Sequence, residues 1–253
     1  MIKYHQDRID FASLKENNID RKQLAMIPEG SRVLEIGCAT GYMGEYLVRD
    51  RRCDVLGVEP EAEQAEAARR RGLEVITGSI GEAATARLLD AHVRERGGFG
   101  VIFMSQVIEH LAWPDRVLRL LPRWLARDGC LVISTCSVVH WTIRLQVLRG
   151  RWQYQDYGIL DNSHLRFFTI DSLRRLLESC GYRCVEFDYT FEDLCPFKIL
   201  FDTRILAPSD ILRLIPVVGM RLRRAYTDLF RNLLATQFVY RAVVADRQPD
   251  NRR

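Results

Sequence analysis

The run Val33-Leu34-Glu35-Ile36-Gly37-Cys38-Ala39-Thr40-Gly41-Tyr42-Met43-Gly44 constrains this chain more than any other stretch. Residues 33–36 are apolar enough for a buried parallel strand. They break at once into a glycine-rich turn, and a helix follows over about residues 42–49. Gly37 and Gly41 leave room for a ligand to approach the backbone, and the helix start offers unpaired N–H groups. The spacing G-x-x-x-G-x-x-G is neither the dinucleotide fingerprint nor the phosphate loop. Glu35 at the strand end would repel a diphosphate and would welcome an ammonium or sulfonium group.

A second apolar strand, residues 53–58, also ends in an acid. Glu59 is followed by Pro60 and lies 24 residues after Glu35. A carboxylate at the tip of a second strand is placed to accept both hydroxyls of a ribose. The two strand-end acids flanking a glycine turn resemble the first two motifs of the class I S-adenosylmethionine-dependent methyltransferases. That resemblance implies S-adenosylmethionine as cofactor, with Glu35 and Gly37 near its methionine end, Glu59 holding the ribose, and Cys38, Gly41 and Pro60 also in the cofactor site.

The rest of the chain keeps a strand–helix rhythm that calls for a parallel sheet covered on both faces. Helices are expected over 61–71, 81–96, 114–127 and 170–180, the last capped by Thr169. Strands are expected over 73–77, 101–105, 130–134, 183–189 and 237–244. Residues 99–111 resemble the fourth-strand motif of the family's small-molecule branch, with Ser105 and Gln106 at the cofactor and Glu109-His110-Leu111 on a short helix. Residues 125–134 resemble the motif around strand five. The fold expected is α/β, a doubly wound, seven-stranded, mostly parallel sheet with helical additions at both ends. Its parts are an N-terminal helical lid (1–30), the methyltransferase core (31–190), a basic helical cap (191–236), the last core strand (237–246) and a frayed tail (247–253).

The sequence departs from the family pattern in two places. Many relatives carry an acid after strand three, near the adenine; here Ser79 stands there, able to accept a hydrogen bond but uncharged. The third glycine of G-x-G-x-G is replaced by the small pair Ala39-Thr40, which preserves the room.

Residues 157–169 contain Asp161, His164, Arg166, Phe168 and Thr169 in the order D-x-x-H-x-R-x-F-T. This resembles a segment of bacterial methyltransferases that tailor sugars, lipids or polyketides. Methyl transfer to a hydroxyl needs in-line positioning and removal of a proton, for which histidine is suited. His164 is the first candidate base, with Asp161 to orient it and Arg166 to hold an anionic substrate group. His110 is the second, or else a brace for the turn after strand four. No metal is indicated, because the paired carboxylates of magnesium-dependent catechol methylation are not visible. His140 and Trp141 read as lid packing, and His5 and Tyr4 as entrance or exposed residues.

Composition fits this reading. At 253 residues and 47% hydrophobic the chain can bury a full core. No apolar run approaches the ~18 residues of a membrane span, and the first eight residues lack the apolar core of a signal peptide. Seven cysteines with no C-x-x-C pair suit a reducing cytoplasm. The net charge of +4 is uneven: from Lys198 onward eleven Lys+Arg face five Asp, leaving 26 basic and 28 acidic groups before it. The basic cap is either a packed cover with a solvated arginine face or a contact for anionic lipid. No basic stripe with stacking aromatics marks a nucleic-acid partner. The chain thus reads as a methyltransferase acting on oxygen of a small-molecule, sugar or lipid-linked acceptor. N- or C-methylation and a non-catalytic binding subunit of the same fold stand as alternatives.

Overall fold

The computed structural model describes residues 13–192 and 219–245. The calls on His5, Tyr4, the tail and the middle of the basic cap lie outside these residues. Seven strands form one sheet in the order β3-β2-β1-β4-β5-β7-β6. They are β1 (Arg32–Ile36), β2 (Asp54–Glu59), β3 (Glu74–Thr77), β4 (Phe99–Ser105), β5 (Leu125–Cys136), β6 (Tyr182–Phe191) and β7 (Ala235–Val244). The first five pair in parallel, and β7 runs antiparallel to both its neighbours. The order reverses between β1 and β4, which makes the topological switch point where ligands of open α/β sheets bind.

Strand parity explains why the sheet is buried on both sides. Leu34, Ile36, Ile102, Met104, Leu131 and Ile133 enter one core. Val33, Val101, Phe103, Cys130 and Val132, offset by one residue, enter the other. Successive side chains of a strand point to opposite faces, so runs without polar breaks need cover on both. Helices α4 (Ala83–Arg96), α5 (Pro114–Leu120) and α7 (Ile170–Ser179) cover the first face. Helices α1 (Ile19–Ala25), α2 (Tyr42–Arg51) and α3 (Ala62–Arg70) cover the second. Outside this repeat stand α6 (Trp141–Leu148), α8 (Gly219–Leu229) and α9 (Arg231–Leu234). Among the described residues no helix is long and apolar enough to cross a membrane.

The expected helix over 114–127 is too long. The helix stops at Leu120, a 3₁₀ turn carries the chain through Leu121–Arg123, and β5 begins at Leu125. Pro122 is the cause: it has no N–H to give the carbonyl of Leu118, and its ring crowds that carbonyl. The Tyr182 hydroxyl donates to the Leu118 oxygen instead, at 2.9 Å. Beyond the break the Phe99 N–H donates to the Trp124 oxygen at 2.8 Å and Leu125 pairs with Phe99. A register shift between Phe99 and Val101 then accommodates Asp128-Gly129, so the expected turn becomes an irregularity inside one long strand. Thr169 caps α7 as expected, its side chain accepting from the Ser172 N–H while Ser172 returns the bond.

Tyr182→Phe keeps the ring and strands the buried Leu118 carbonyl. It should lower stability by about 1–3 kcal/mol, read as a shift of the urea midpoint at unchanged slope. An unchanged midpoint would mean another donor reaches that oxygen.

Candidate active site

A cavity of about 890 Å³ opens at the carboxyl ends of β1, β2 and β4. Its floor is the glycine turn that follows β1. Gly37 and Cys38 donate their N–H groups to the Val58 oxygen at 2.7 and 3.3 Å, which ties the turn to β2. Gly37 holds φ +72°, and a Cβ there would fall 2.5 Å from the Val107 side chain. The room expected beside Gly41 serves packing instead: a Cβ would meet Ala68 and Leu73, and Gly41 does not line the cavity. Gly44 has a part in the site that the sequence reading left unassigned. A Cβ there would lie 2.7 Å from Glu35 Oε2. The third glycine of the motif therefore makes space for the strand-end carboxylate.

Glu35, Gly37 and Cys38 line the cavity from the first turn, and Glu59 and Pro60 from the end of β2. Ser79 enters after β3, and Ser105 and Gln106 after β4. Glu59 is 5% exposed and braces the turn: its Oε2 accepts from the Ala39 N–H at 2.8 Å and its Oε1 from the Glu61 N–H at 3.0 Å. Glu35 is 4% exposed, and its Oε2 has no hydrogen-bond partner. Burial, with the neighbouring charge of Glu59, pushes its pKa up to about 8. Ala39 and Gln106 both hold positive φ, 47° and 55°. Such backbone is costly for residues other than glycine; these two border the cavity, whereas a third, Arg52, ends α2 away from it.

Helix α1 supplies residues that the sequence reading did not single out. Asn18, Ile19 and Asp20 line the cavity. Gln23, fully buried, donates to Asp20 Oδ1 at 3.0 Å and to Ser105 Oγ at 2.8 Å, joining this helix to the end of β4. Burial raises Asp20 to about 6. No local pattern distinguishes these residues from any amphipathic helix, so only the fold identifies them. Among the described residues the cavity lining holds six acids, Asp20, Glu35, Glu59, Glu61, Glu63 and Asp161, and no lysine or arginine.

The opposite wall is the D-x-x-H-x-R-x-F-T segment, and backbone bonds fix it to the turn after β4. The Glu109 carbonyl accepts the N–H groups of both Leu165 and Arg166, at 2.8 and 3.0 Å. His110 Nδ1 bonds the Ser163 carbonyl at 3.2 Å, and the rings of His110 and His164 stand edge to face with centroids 4.9 Å apart. Both histidines and Asp161 line the cavity. Asp161 takes a different part from the one expected. Its carboxylate accepts from the Ser163 N–H and hydroxyl, at 2.8 and 2.6 Å, while the Ile159 carbonyl holds His164 Nδ1 at 3.1 Å. Asp161 shapes the turn, through its own carbonyl accepting the His164 N–H at 3.0 Å.

Arg166 corrects the sequence expectation more strongly. Its guanidinium donates to the carbonyls of Leu165 and Ala112, its side chain is exposed, and it does not line the cavity. It secures the segment from outside and stands off the cavity. His140 and Trp141 are buried at the start of α6, in keeping with packing. Glu109 is 1% exposed, with burial raising it to about 7. Its carboxylate and one ring nitrogen each from His110 and His164 lie within 4.8 Å of one another. A pattern of paired carboxylates does not describe this mixed cluster, in which His164 stands 54 residues beyond the adjacent Glu109 and His110.

A family model described as a methyltransferase domain matches residues 6–187, and the chain belongs to that family. The fold is that of the class I S-adenosylmethionine-dependent methyltransferases. The chain is 25% identical over 138 residues to a ubiquinone biosynthesis O-methyltransferase of Xanthomonas oryzae pv. oryzae, covering 51% of this chain and 56% of that one. It is 27% identical over 153 residues to the protein of the same name from Chelativorans sp., covering 60% and 59%. It therefore spans under two thirds of the length of these relatives. In structure it resembles a SAM-dependent methyltransferase from Archaeoglobus fulgidus, with a TM-score of 0.56, 16% identity and coverage of 88% and 90%.

The state of Glu35 has a measurable consequence. Its folded pKa lies above the ordinary 4.5, so its contribution to stability is complete below about 4.5 and is lost as pH rises through about 8. Within that window the ligand-free wild type should lose about 1.4 kcal/mol per pH unit through this group. Glu35→Gln lacks the dependence. Denaturant unfolding of both at pH 6 and pH 8 should show wild type losing ground to the variant; a constant difference would mean Glu35 is ionised in the ligand-free fold.

Proposed function

We propose that the protein transfers the methyl group of S-adenosylmethionine to an oxygen of a small-molecule acceptor. The observation that carries this reading is the charge of the cavity: two buried carboxylates at the ends of β1 and β2, with no lysine or arginine beside them among the described residues of the lining. A ligand bearing ammonium and sulfonium groups gives Glu35 the counter-charge that its buried oxygen lacks, whereas a diphosphate would be repelled. Glu59 keeps acceptor capacity for ribose hydroxyls beyond its bonds to the loop, and Ser79 and neighbouring backbone serve the adenine. When bound, the cofactor supplies a methyl group already activated on sulfur.

The chain's own residues do the rest. The glycine turn and the 163–166 wall hold donor and acceptor in line and exclude water. Held by the glycine turn with Glu35 and Glu59, the sulfonium would give up its methyl group to the acceptor oxygen and become a neutral thioether, which leaves one hydroxyl proton for the protein to take. The hydroxyl proton passes to the imidazole pair, with His164 the first recipient. Oxygen is favoured over nitrogen by the names of the sequence relatives and by the histidines, since a neutral amine needs less base assistance. Trp152, Tyr154 and Phe167 cluster beside His164, with Trp152 and Tyr154 exposed. These rings suit an acceptor with a flat apolar face, aromatic or sugar, in place of the anionic group first assigned to Arg166.

Calorimetry with S-adenosylmethionine and with NAD tests the cofactor. Micromolar binding of the first and none of the second is expected. Glu59→Ala should weaken binding about 10- to 100-fold, the worth of hydrogen bonds to a charged group. At pH 7 the heat should vary with buffer as Glu35 releases its proton. Absence of S-adenosylmethionine binding to folded protein would overturn the reading. His164→Ala should keep that affinity and lose at least about 100-fold in S-adenosylhomocysteine formation across a panel of phenolic and sugar acceptors. Undiminished turnover would remove the base.

A further inference from the structure

We propose that Glu109, His110 and His164 form a binding site for one divalent first-row transition ion, with its remaining coordination positions open to the acceptor side of the cavity. The ligand set is one carboxylate and two imidazoles, with ligand atoms within 4.8 Å of one another. Two nitrogens and one oxygen suit zinc, cobalt or manganese better than magnesium, and three protein ligands leave room for water or substrate.

Three features of the surroundings prepare these side chains for a cation. First, each histidine has its Nδ1 at a backbone carbonyl, that of Ser163 for His110 and that of Ile159 for His164. A carbonyl only accepts, so Nδ1 carries the hydrogen and the neutral ring has its lone pair on Nε2, the arrangement common in metal-ligating histidines. Second, Glu109 is almost wholly buried, and its Oε2 has no hydrogen-bond partner. The amide of Gln106 satisfies its neighbours in one orientation, donating to Glu109 Oε1 at 3.2 Å and accepting from Ser134 Oγ at 3.0 Å. That bond aligns the carboxylate and leaves Oε2 for a cation. Third, the two N–H bonds onto the Glu109 carbonyl clamp the loop that carries His164 to the turn that carries Glu109 and His110. The distance between ligands is thereby set by backbone before any ion arrives. Among the described residues the acidic lining holds no lysine or arginine to oppose a cation.

In one respect this assignment deepens the methyl-transfer reading and rests on it. A hydroxyl bound at an open coordination position is more acidic and releases its proton to water, so the histidines then act as ligands and need not take the proton themselves.

The test uses the full chain, dialysed against chelator and titrated with CoCl₂, followed by optical absorption and calorimetry. One Co²⁺ per chain is expected, with visible bands of nitrogen and oxygen ligation. Glu109→Gln and His164→Gln should each weaken binding at least tenfold, with thermal melts confirming that both fold. Glu59→Gln, on the cofactor side, should leave Co²⁺ affinity unchanged. No stoichiometric binding to the folded wild type would overturn the site, as would binding that survives both substitutions. The Co²⁺ titration reads the cation site alone, and S-adenosylmethionine calorimetry reads the cofactor alone, so either proposal can fail without the other.

Discussion

A sheet buried on both faces leaves polar groups one place to work, the ends of its strands. Here β1, β2 and β4 are apolar along both faces, and the polar groups at their carboxyl ends, Glu35, Glu59, Ser105 and Gln106, gather at one cavity. The reversal of strand order between β1 and β4 separates the helices there and opens the crevice. Everything chemical in the molecule follows from that geometry. The glycine turn is fastened to β2 by the Val58 carbonyl below and the Glu59 carboxylate above, so the loop is held from two sides. An acid that contacts a ligand and also braces the loop cannot be exchanged without disturbing both.

The far wall obeys a different logic. Residues 157–168 form no regular element, yet they are not loosely attached. The Glu109 carbonyl takes two of their N–H groups, the Ser163 carbonyl takes His110, and Ser137 pairs with Phe168. Arg166 adds a fastening on the outer side through the Ala112 carbonyl. Main-chain bonds of this kind place two imidazoles against each other without demanding a helix or strand. They also make the placement of His164 insensitive to the side chains of the exposed aromatics nearby.

The strands and the glycine turn were legible because their signals are local: an apolar run, a break, a helix former. The capping threonine of α7 was legible for the same reason. The end of α5 was not, because Pro122 was outweighed by the helical character of its neighbours and the pairing partner of Leu125 lies at Phe99. At the site, strand-end acids could be read from position, since the fold sends every strand end to one place. The part of Arg166 could not, because its motif specifies that an arginine is present and not which way it points. Nor could the meeting of Glu109 with His164, which depends on how a long irregular segment docks. Side chains on regular elements inherit direction from their period; those on loops take it from contacts that no short pattern records.

The acidic cavity also bears on how the protein treats its ligands. Burial raises Glu35 to about 8, so it keeps its proton at neutral pH, whereas Asp20, raised to about 6, has given up most of its own. A cationic cofactor entering such a site would meet a carboxylic acid at Glu35 that ionises on its arrival, and part of the binding free energy would go into releasing that proton. Selectivity against anionic nucleotides then needs no dedicated clash, because the described residues of the lining include no lysine or arginine to receive a phosphate.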